Sequence, residues 1–398
     1  MSARREEGPG DRGDPALRRA IAERREEERR AARLAREEAL RERRLALRQR
    51  LEREVLWAGE GVSSGLSGEP DPARLAARGL PILRDAADLA ALLGIDLRAL
   101  RWLTLHREVA PVVHYRQFQL PKRRGGTRTI SAPRPRLRAA QEALRRELLA
   151  RLSPTPEAMA FVPGRSVLTN ACAHLAPAVL VKLDLRDFFG TITFPRVRGL
   201  FRALGYGGMV ATLLALLVTE APRGEVEIDG RTWYAALGPR SLPQGAPTSP
   251  ELTNQLARRL DRRLVGFARR HGWSYTRYAD DLCFSRGDEP EGAVRRLLGT
   301  VRAVLEGEGF QLNPDKLVVA RRGRQQRVTG VVVNERPAVP RALRRRLRAA
   351  AHRVAHDGFA DREERERLLG QVAWVRMVQP EAGERLLQAL RGGREGGA

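Results

Sequence analysis

The sequence predicts an α+β protein, in which helices and short paired strands alternate along 398 residues behind a long charged helix. Three observations carry that expectation. Strand-like runs come in pairs around turn signals, as on either side of Asp229-Gly230 and of Tyr278–Asp281. Between the pairs lie longer stretches with helical apolar spacing, at 135–152, 249–271 and 290–309. Residues 15–57 interleave Glu and Arg at three- and four-residue spacing, which supports a helix through side-chain pairs.

Taken in order, the charged helix carries only a thin apolar stripe of Leu17, Ile21, Leu34, Leu47 and Leu51. That suits a solvated single helix; a coiled coil or a basic arm lying on RNA are the other readings. Gly59–Pro72, rich in Gly, Ser and Pro, reads as a linker. From Pro72 to Thr104 the pattern is helical, with Gly94 ending one helix and Asp96 capping the next. A strand pair follows at Tyr115–Leu120 and Arg128–Ser131. Its connection, Pro121-Lys-Arg-Arg-Gly-Gly126, is basic and contains glycine, so its backbone can approach phosphates closely. Pro135–Leu152 is helical, Ala178–Asp184 is a buried strand, and Phe194–Thr219 is largely helical. Ser249–His271 reads as one long helix ahead of a hairpin over Trp273–Ser285. Pro290–Gly309 is a further helix, Val328–Val333 a short strand, and Pro340 onward a helical, Arg-rich tail.

A net charge of +25 and a pI near 11.4 call for a polyanionic partner, most plainly nucleic acid. Of 73 basic residues only Lys122, Lys182 and Lys316 are lysine. No apolar run approaches a membrane span and no secretion signal is visible, so a cytoplasmic protein is expected. Cys172 and Cys283 form neither a disulfide framework nor a zinc-ligand spacing.

The chemistry concentrates in acids. Tyr278-Ala-Asp-Asp281 predicts a hairpin whose two-residue connection presents Asp280 and Asp281; taken alone, this is either a solvated turn or a divalent-metal site. Asp184 ends an apolar strand, where a carboxylate is costly unless it is paired, metal-bound or spent as a helix N-cap. Together the three supply hard oxygen ligands of the kind Mg²⁺ prefers, and paired Mg²⁺ ions are a recurring engine of nucleotidyl transfer.

Lys182-Leu-Asp184 with Phe188-Phe189, Leu242-Pro-Gln-Gly-Ala-Pro-Thr-Ser-Pro250, Tyr278-Ala-Asp-Asp281 and Leu312-Asn-Pro-Asp-Lys316 follow the order of the catalytic motifs of reverse transcriptases. The chain resembles that family. The resemblance implies a right-hand polymerase fold: fingers at 73–165, a ferredoxin-like palm of the split βαβ type at 166–335 and a helical thumb at 336–398, behind an extension at 1–58 and the linker at 59–72. It implies that Asp184, Asp280 and Asp281 hold two Mg²⁺ ions and that Phe189 is an aromatic gate against the ribose 2′-hydroxyl. Gln244 and Gly245 would meet the incoming deoxynucleoside triphosphate, and Lys122 and Arg128 would grip its phosphates. Lys316 would protonate the departing pyrophosphate, as an ammonium can and a guanidinium cannot. A core aromatic for Phe189 and a solvated hairpin for Lys122 and Arg128 are the plain alternatives.

Phe161-Val-Pro-Gly-Arg-Ser166 is similar to a general element of bacterial reverse transcriptases, whereas Asn170-Ala-Cys-Ala-His174 and Val328-Thr329-Gly330 resemble hallmarks of the retron type. The retron resemblance implies a cognate structured noncoding RNA (msr-msd type), priming from the 2′-hydroxyl of a guanosine and a branched RNA–DNA product (msDNA). It further implies an antiphage role with a toxin effector. RNA stem-loops are expected on Arg341, Arg344, Arg345, Arg346, Arg348 and Arg353, against the alternative of a solvated charged helix. His174 is expected to brace the fold without proton chemistry. A group II intron-like or diversity-generating enzyme, and a non-catalytic scaffold for RNA and effector, are the competing readings. No maturase, nuclease or ribonuclease H region is recognisable, so the template RNA is expected to remain or to be removed by another protein.

Overall fold

The computed structural model describes residues 15–121 and 125–391. They fall into two compact units that divide after Leu56. The first is helix α1 (Pro15–Arg53). Ala, Leu, Arg and Glu are strong helix formers, and exposed i,i+4 pairs such as Arg19–Glu23, Arg33–Glu37 and Arg50–Glu54 add only weak, solvent-screened support. Its described side chains are exposed, Leu34, Leu47 and Leu51 among them, so propensity and not burial accounts for the helix.

The second unit begins with α2 (Pro72–Ala76), α3 (Ala86–Leu93) and α4 (Leu97–Thr104). Asp96 Oδ1 accepts the Ala99 N–H at 2.6 Å, and Gly94 closes α3 in the left-handed conformation, as the sequence predicts. Next come β1 (Val109–Ala110) and the hairpin β2 (Tyr115–Pro121) and β3 (Thr127–Pro133), paired from Tyr115↔Pro133 to Pro121↔Thr127. After α5 (Pro135–Glu147) and α6 (Val167–Cys172), strand β4 (Val179–Arg186) leads into α7 (Phe194–Leu204) and α8 (Gly208–Val218). Strands β5 (Arg223–Ile228) and β6 (Arg231–Ala236) turn at Asp229-Gly230 and form a sheet in the order β1-β6-β5.

Residues 59–72, expected as a linker, are instead packed against α8. The Gly65 carbonyl accepts Thr212 Oγ1 at 3.0 Å, and the Gly68 carbonyl accepts the Gly208 N–H at 2.7 Å. A Cβ on Gly208 would lie 1.7 Å from the Ser67 carbonyl oxygen, so this contact demands glycine. The single helix expected over 249–271 is two, α9 (Ser249–Leu256) and α10 (Arg258–Arg270), with the break at Ala257.

Strands β7 (Ser274–Tyr278) and β8 (Asp281–Arg286), helix α11 (Ala293–Gly307), and strands β9 (Gln311–Leu312) and β10 (Val318–Arg321) complete the main sheet. Its order is β10-β4-β8-β7, antiparallel throughout, with β9 pairing the end of β4 at Leu185↔Leu312. Helices α7 to α10 connect β4 to β7, and α11 connects β8 to β10. This is the split βαβ arrangement, and it puts β4 in the middle of the sheet. Val328–Val333, expected as one strand, is a tight hairpin of β11 (Arg327–Val328) and β12 (Val331–Val332). Thr329 and Gly330 make its turn, both at positive φ (46° and 90°), which bends a run that reads as extended.

Helices α12 (Arg341–Asp357), α13 (Arg362–Val378) and α14 (Pro380–Arg391) follow. Leu347, Val354, Leu368 and Val375 share one apolar core with Val328 and Val331 of the hairpin and with Leu180 and Cys283 of the sheet. No helix among the described residues is long and apolar enough to cross a membrane.

Candidate active site

The β7–β8 hairpin turns at Ala279-Asp280, one residue earlier than expected. Tyr278 pairs with Asp281, so Asp281 is the first residue of β8 and only Asp280 is in the turn. The shift matters because Asp281 then stands directly opposite Asp184 of β4. Directly opposed residues of antiparallel strands share one face of the sheet, so the two carboxylates emerge side by side. Two backbone hydrogen bonds fix their surroundings: the Leu185 N–H donates to the Asp280 carbonyl at 3.0 Å, and the Asn313 N–H donates to the Asp184 carbonyl at 2.8 Å.

Asp184 is buried, and Lys316 neutralises it. Lys316 Nζ donates to both carboxylate oxygens, at 2.6 and 2.9 Å. Asp280 has no such partner among its described neighbours; burial and the negative charges of Asp281 and Asp184 push its carboxyl up to about 6. Burial also raises Asp281, and the Lys182 ammonium opposes that rise. Among the described residues no three His, Cys, Asp or Glu side chains are gathered into a ready-made cation cage. The donor set nevertheless suits a hard divalent cation: three neighbouring carboxylates, partly buried, whose mutual repulsion a cation would relieve.

Asp184 and Asp280 open into a cleft of about 850 Å³ that brings most of the sequence-predicted residues together: Arg128, Asp184, Phe189, Gln244, Asp280 and Lys316 all line it, whereas Asp281 is not among the lining residues. Phe188 and Phe189 part company. Phe188 is buried against Phe310, whereas Phe189 remains partly exposed at the cleft wall, edge-on to Phe188 at 5.8 Å. Arg128 is exposed on β3, opposite Leu120. Lys122 lies outside the described residues.

Gly245 is not among the lining residues, and its geometry has a different origin. It sits at φ 118°, and a Cβ there would come 2.8 Å from Ile130 Cγ2 and 3.1 Å from the Ser131 carbonyl oxygen. The Ser131 N–H donates to the Gln244 carbonyl at 2.8 Å. The close approach that requires glycine is thus to strand β3, and it locks the β2–β3 hairpin to the loop ahead of α9.

Asn170, His174 and Thr329 form one largely buried network beside β7 and β8. Thr276 Oγ1 of β7 donates to Asn170 Oδ1 at 2.6 Å and so accepts from His174 Nε2 at 2.7 Å. His174 Nδ1 is then left to accept from Ser285 Oγ of β8, at 2.7 Å. Asn170 Nδ2 reaches Thr329 Oγ1 at 3.5 Å, and Thr329 Oγ1 donates to the Val167 carbonyl at 3.0 Å. Burial pushes the His174 imidazole down to about 4, so it stays neutral. The two short elements, distant in sequence, therefore meet each other and both strands that flank the Ala279-Asp280 turn.

On α12, Arg341, Arg345, Arg346 and Arg348 are exposed, whereas Arg344 is partly buried and Arg353 is engaged by Glu364. Four of the six expected arginines, Arg341, Arg345, Arg346 and Arg348, are thus exposed. Sequence reasoning missed part of the cleft wall: Gln117, Gln119, Thr129 and Ser131 of the hairpin, and Glu220, which is paired with Arg223 at 2.8 Å. Period-2 alternation marks one face of the hairpin, but nothing local shows that this face looks into a cleft.

Residues 120–333 match the family described as reverse transcriptase (RNA-dependent DNA polymerase), more than half of the chain and all of the acidic site. Retron Mx65 reverse transcriptase from Myxococcus xanthus is 48% identical over 317 residues, covering 80% of this chain and 74% of that protein. Retron Mx162 reverse transcriptase from the same organism is 45% identical, covering 84% and 72%. Retron Ec86 reverse transcriptase from Escherichia coli is 29% identical, covering 79% and 91%. With its ferredoxin-like sheet and its acids on β4 and β8, the chain belongs to the reverse transcriptase family and, within it, to the retron reverse transcriptases, RNA-directed DNA polymerases of the right-hand fold.

Proposed function

We propose that the cleft copies part of a cognate structured noncoding RNA into a branched RNA–DNA (msDNA), starting from an RNA 2′-hydroxyl and using two Mg²⁺ ions. The observation that carries this reading is the cross-strand pairing of Asp184 with Asp281 at the mouth of a cleft that also displays Asp280, Lys316, Gln244, Phe189 and Arg128. Asp184, Asp280 and Asp281 are the residues that would hold the ions. When bound, such ions activate the attacking hydroxyl and neutralise the leaving pyrophosphate.

The chain's own groups do the rest. Arg128, with Lys122, orients the triphosphate by charge-assisted hydrogen bonds. Gln244 offers an amide to the incoming nucleotide. Phe189, anchored edge-on to Phe188, excludes a 2′-hydroxyl by bulk. Lys316 holds a transferable proton at Nζ and gives it to the pyrophosphate oxygen as the P–O bond breaks. Arg341, Arg345, Arg346 and Arg348 present charge to RNA phosphates, while the Asn170–His174–Thr329 network holds β7 and β8 in place. A cytoplasmic location, on the sequence features given above, and a toxin effector and an antiphage role, on the retron resemblance, complete the proposal.

The test is direct. The protein, co-expressed with the noncoding RNA encoded beside its gene, should extend that RNA with deoxynucleotides in Mg²⁺ and leave a branch that a 2′,5′-debranching enzyme removes. The Asp280→Ala, Asp281→Ala double variant should give no DNA. Equal signal from both proteins would refute the site, and a linear product would refute the priming mode.

A further inference from the structure

Adjoining the Ala279-Asp280 turn, outside the cleft, is a fully buried ionic node. Arg277 of β7 and Asp261 of α10 are both inaccessible to solvent. Their contact is bidentate: Arg277 Nε donates to Asp261 Oδ1 and Nη2 to Oδ2, each at 2.8 Å. The remaining arm, Nη1, donates to Asn254 Oδ1 at 3.1 Å and to the Ala279 carbonyl at 3.3 Å. Asp261 also accepts the Tyr275 hydroxyl at 2.9 Å and the Thr155 hydroxyl at 2.7 Å, so each of its carboxylate oxygens accepts two hydrogen bonds.

Stability alone is a weak reason for such a node. Desolvating two charges offsets most of their attraction, and a well-packed apolar pair of similar volume is often as stable or more so. The geometry offers a better reason. Ala279 sits at φ 57°, in the left-handed region where a non-glycine residue costs about 1–2 kcal/mol, and it immediately precedes Asp280. Its carbonyl is the one the guanidinium holds. Asn254 and Asp261 lie on α9 and α10, the helices that continue from the Gln244-Gly245 loop. A planar, five-donor guanidinium can serve Asp261, Asn254 and Ala279 at once, whereas an ammonium cannot match that fork.

We propose that Arg277, with Asp261 and Asn254, is a positioning device that holds the strained Ala279 and thereby sets Asp280 for cation binding, in register with the nucleotide-facing loop. The inference rests on the assignment of Asp280 and Asp281 as cation ligands.

The test uses the full chain with its RNA. Arg277→Met combined with Asp261→Leu removes both charges at similar volume and should stay folded, with some loss of melting temperature as Tyr275, Thr155 and Asn254 lose these partners. Mn²⁺ binding, followed by electron paramagnetic resonance without nucleotide, should weaken about 10–100-fold, the usual cost of losing a group that orients a metal ligand. kcat should fall while the KM for deoxynucleotide stays near wild type. Should the double variant melt early, Arg277→Lys is read by the same criteria, and Ala279→Gly in that background should recover Mn²⁺ affinity, because glycine accepts φ 57° without strain. A stably folded variant with wild-type Mn²⁺ affinity and kcat overturns the proposal. Asp280→Asn is the control: if it leaves Mn²⁺ binding unchanged, the cation-ligand assignment has failed instead.

Discussion

The Lys316 ammonium lies 2.6 and 2.9 Å from the two carboxylate oxygens of Asp184, so the proposed proton donor and a proposed metal ligand are in direct contact. A cation held by Asp184 would compete with the ammonium for the same oxygens, so that cation binding and release of the proposed acid into the cleft would be coupled. Lys316→Arg keeps the charge and loses the transferable proton. Single-nucleotide addition measured by rapid quench should slow about 10²–10⁴-fold, with the melting temperature little changed. A wild-type rate would exclude Lys316 as the acid.

Asp280 is held up to about 6 from an ordinary 3.8, so in the metal-free protein the folded state binds its proton more tightly than the unfolded chain does. The sign follows: this contribution is complete below about pH 3.8 and is lost as pH rises through 6, on the order of 2–3 kcal/mol. Asp280→Asn should therefore raise the melting temperature of metal-free protein at pH 8 by several degrees, and Mg²⁺ should stabilise wild type more than the variant. Calorimetry with chelator and with Mg²⁺ reads both.

His174 behaves in the opposite sense. Its imidazole is pushed from 6.5 down to about 4 by burial, so the unfolded chain binds the proton more tightly. Its contribution is complete above about pH 6.5 and falls by up to about 3 kcal/mol as pH drops toward 4. His174→Gln retains a donor and an acceptor but does not titrate. Urea unfolding at pH 7.5 and pH 4.5 should show a smaller acid loss in the variant than in wild type; parallel losses would remove His174 as the acid-sensitive group.

Phe189→Ala opens the cleft wall beside Phe188. Discrimination between deoxy- and ribonucleotides, taken as the ratio of kcat/KM, should fall about 10–100-fold, the scale on which a bulky apolar contact selects. An unchanged ratio would return Phe189 to a packing role.

Much of the fold was legible because its signals are local. Asp96 and Gly94 mark helix ends, Asp229-Gly230 marks a hairpin, and the apolar run before Asp184 marks a buried strand. What escaped depends on tertiary context. The turn slipped from Asp280-Asp281 to Ala279-Asp280 because Ala279 adopts a left-handed conformation that its residue type does not advertise. The run 249–271 has no breaker at Ala257, yet the helix stops there. Glycine and serine in 59–72 read as a flexible linker, but here small residues allow close packing on Gly208. Motif order singled out the acids, Lys316, Phe189 and Gln244, and all of these but Asp281 line one cleft; that Asn170 and Thr329 touch each other was beyond any local pattern, since the contact spans 159 residues.

The shared core of α12 to α14 with the β11–β12 hairpin and the main sheet bears on how these helices move. Swinging α12 to α14 away would expose Leu347, Val354, Leu368 and Val375, and the hairpin valines they pack on, to water, so these helices and the main sheet are expected to move as one body.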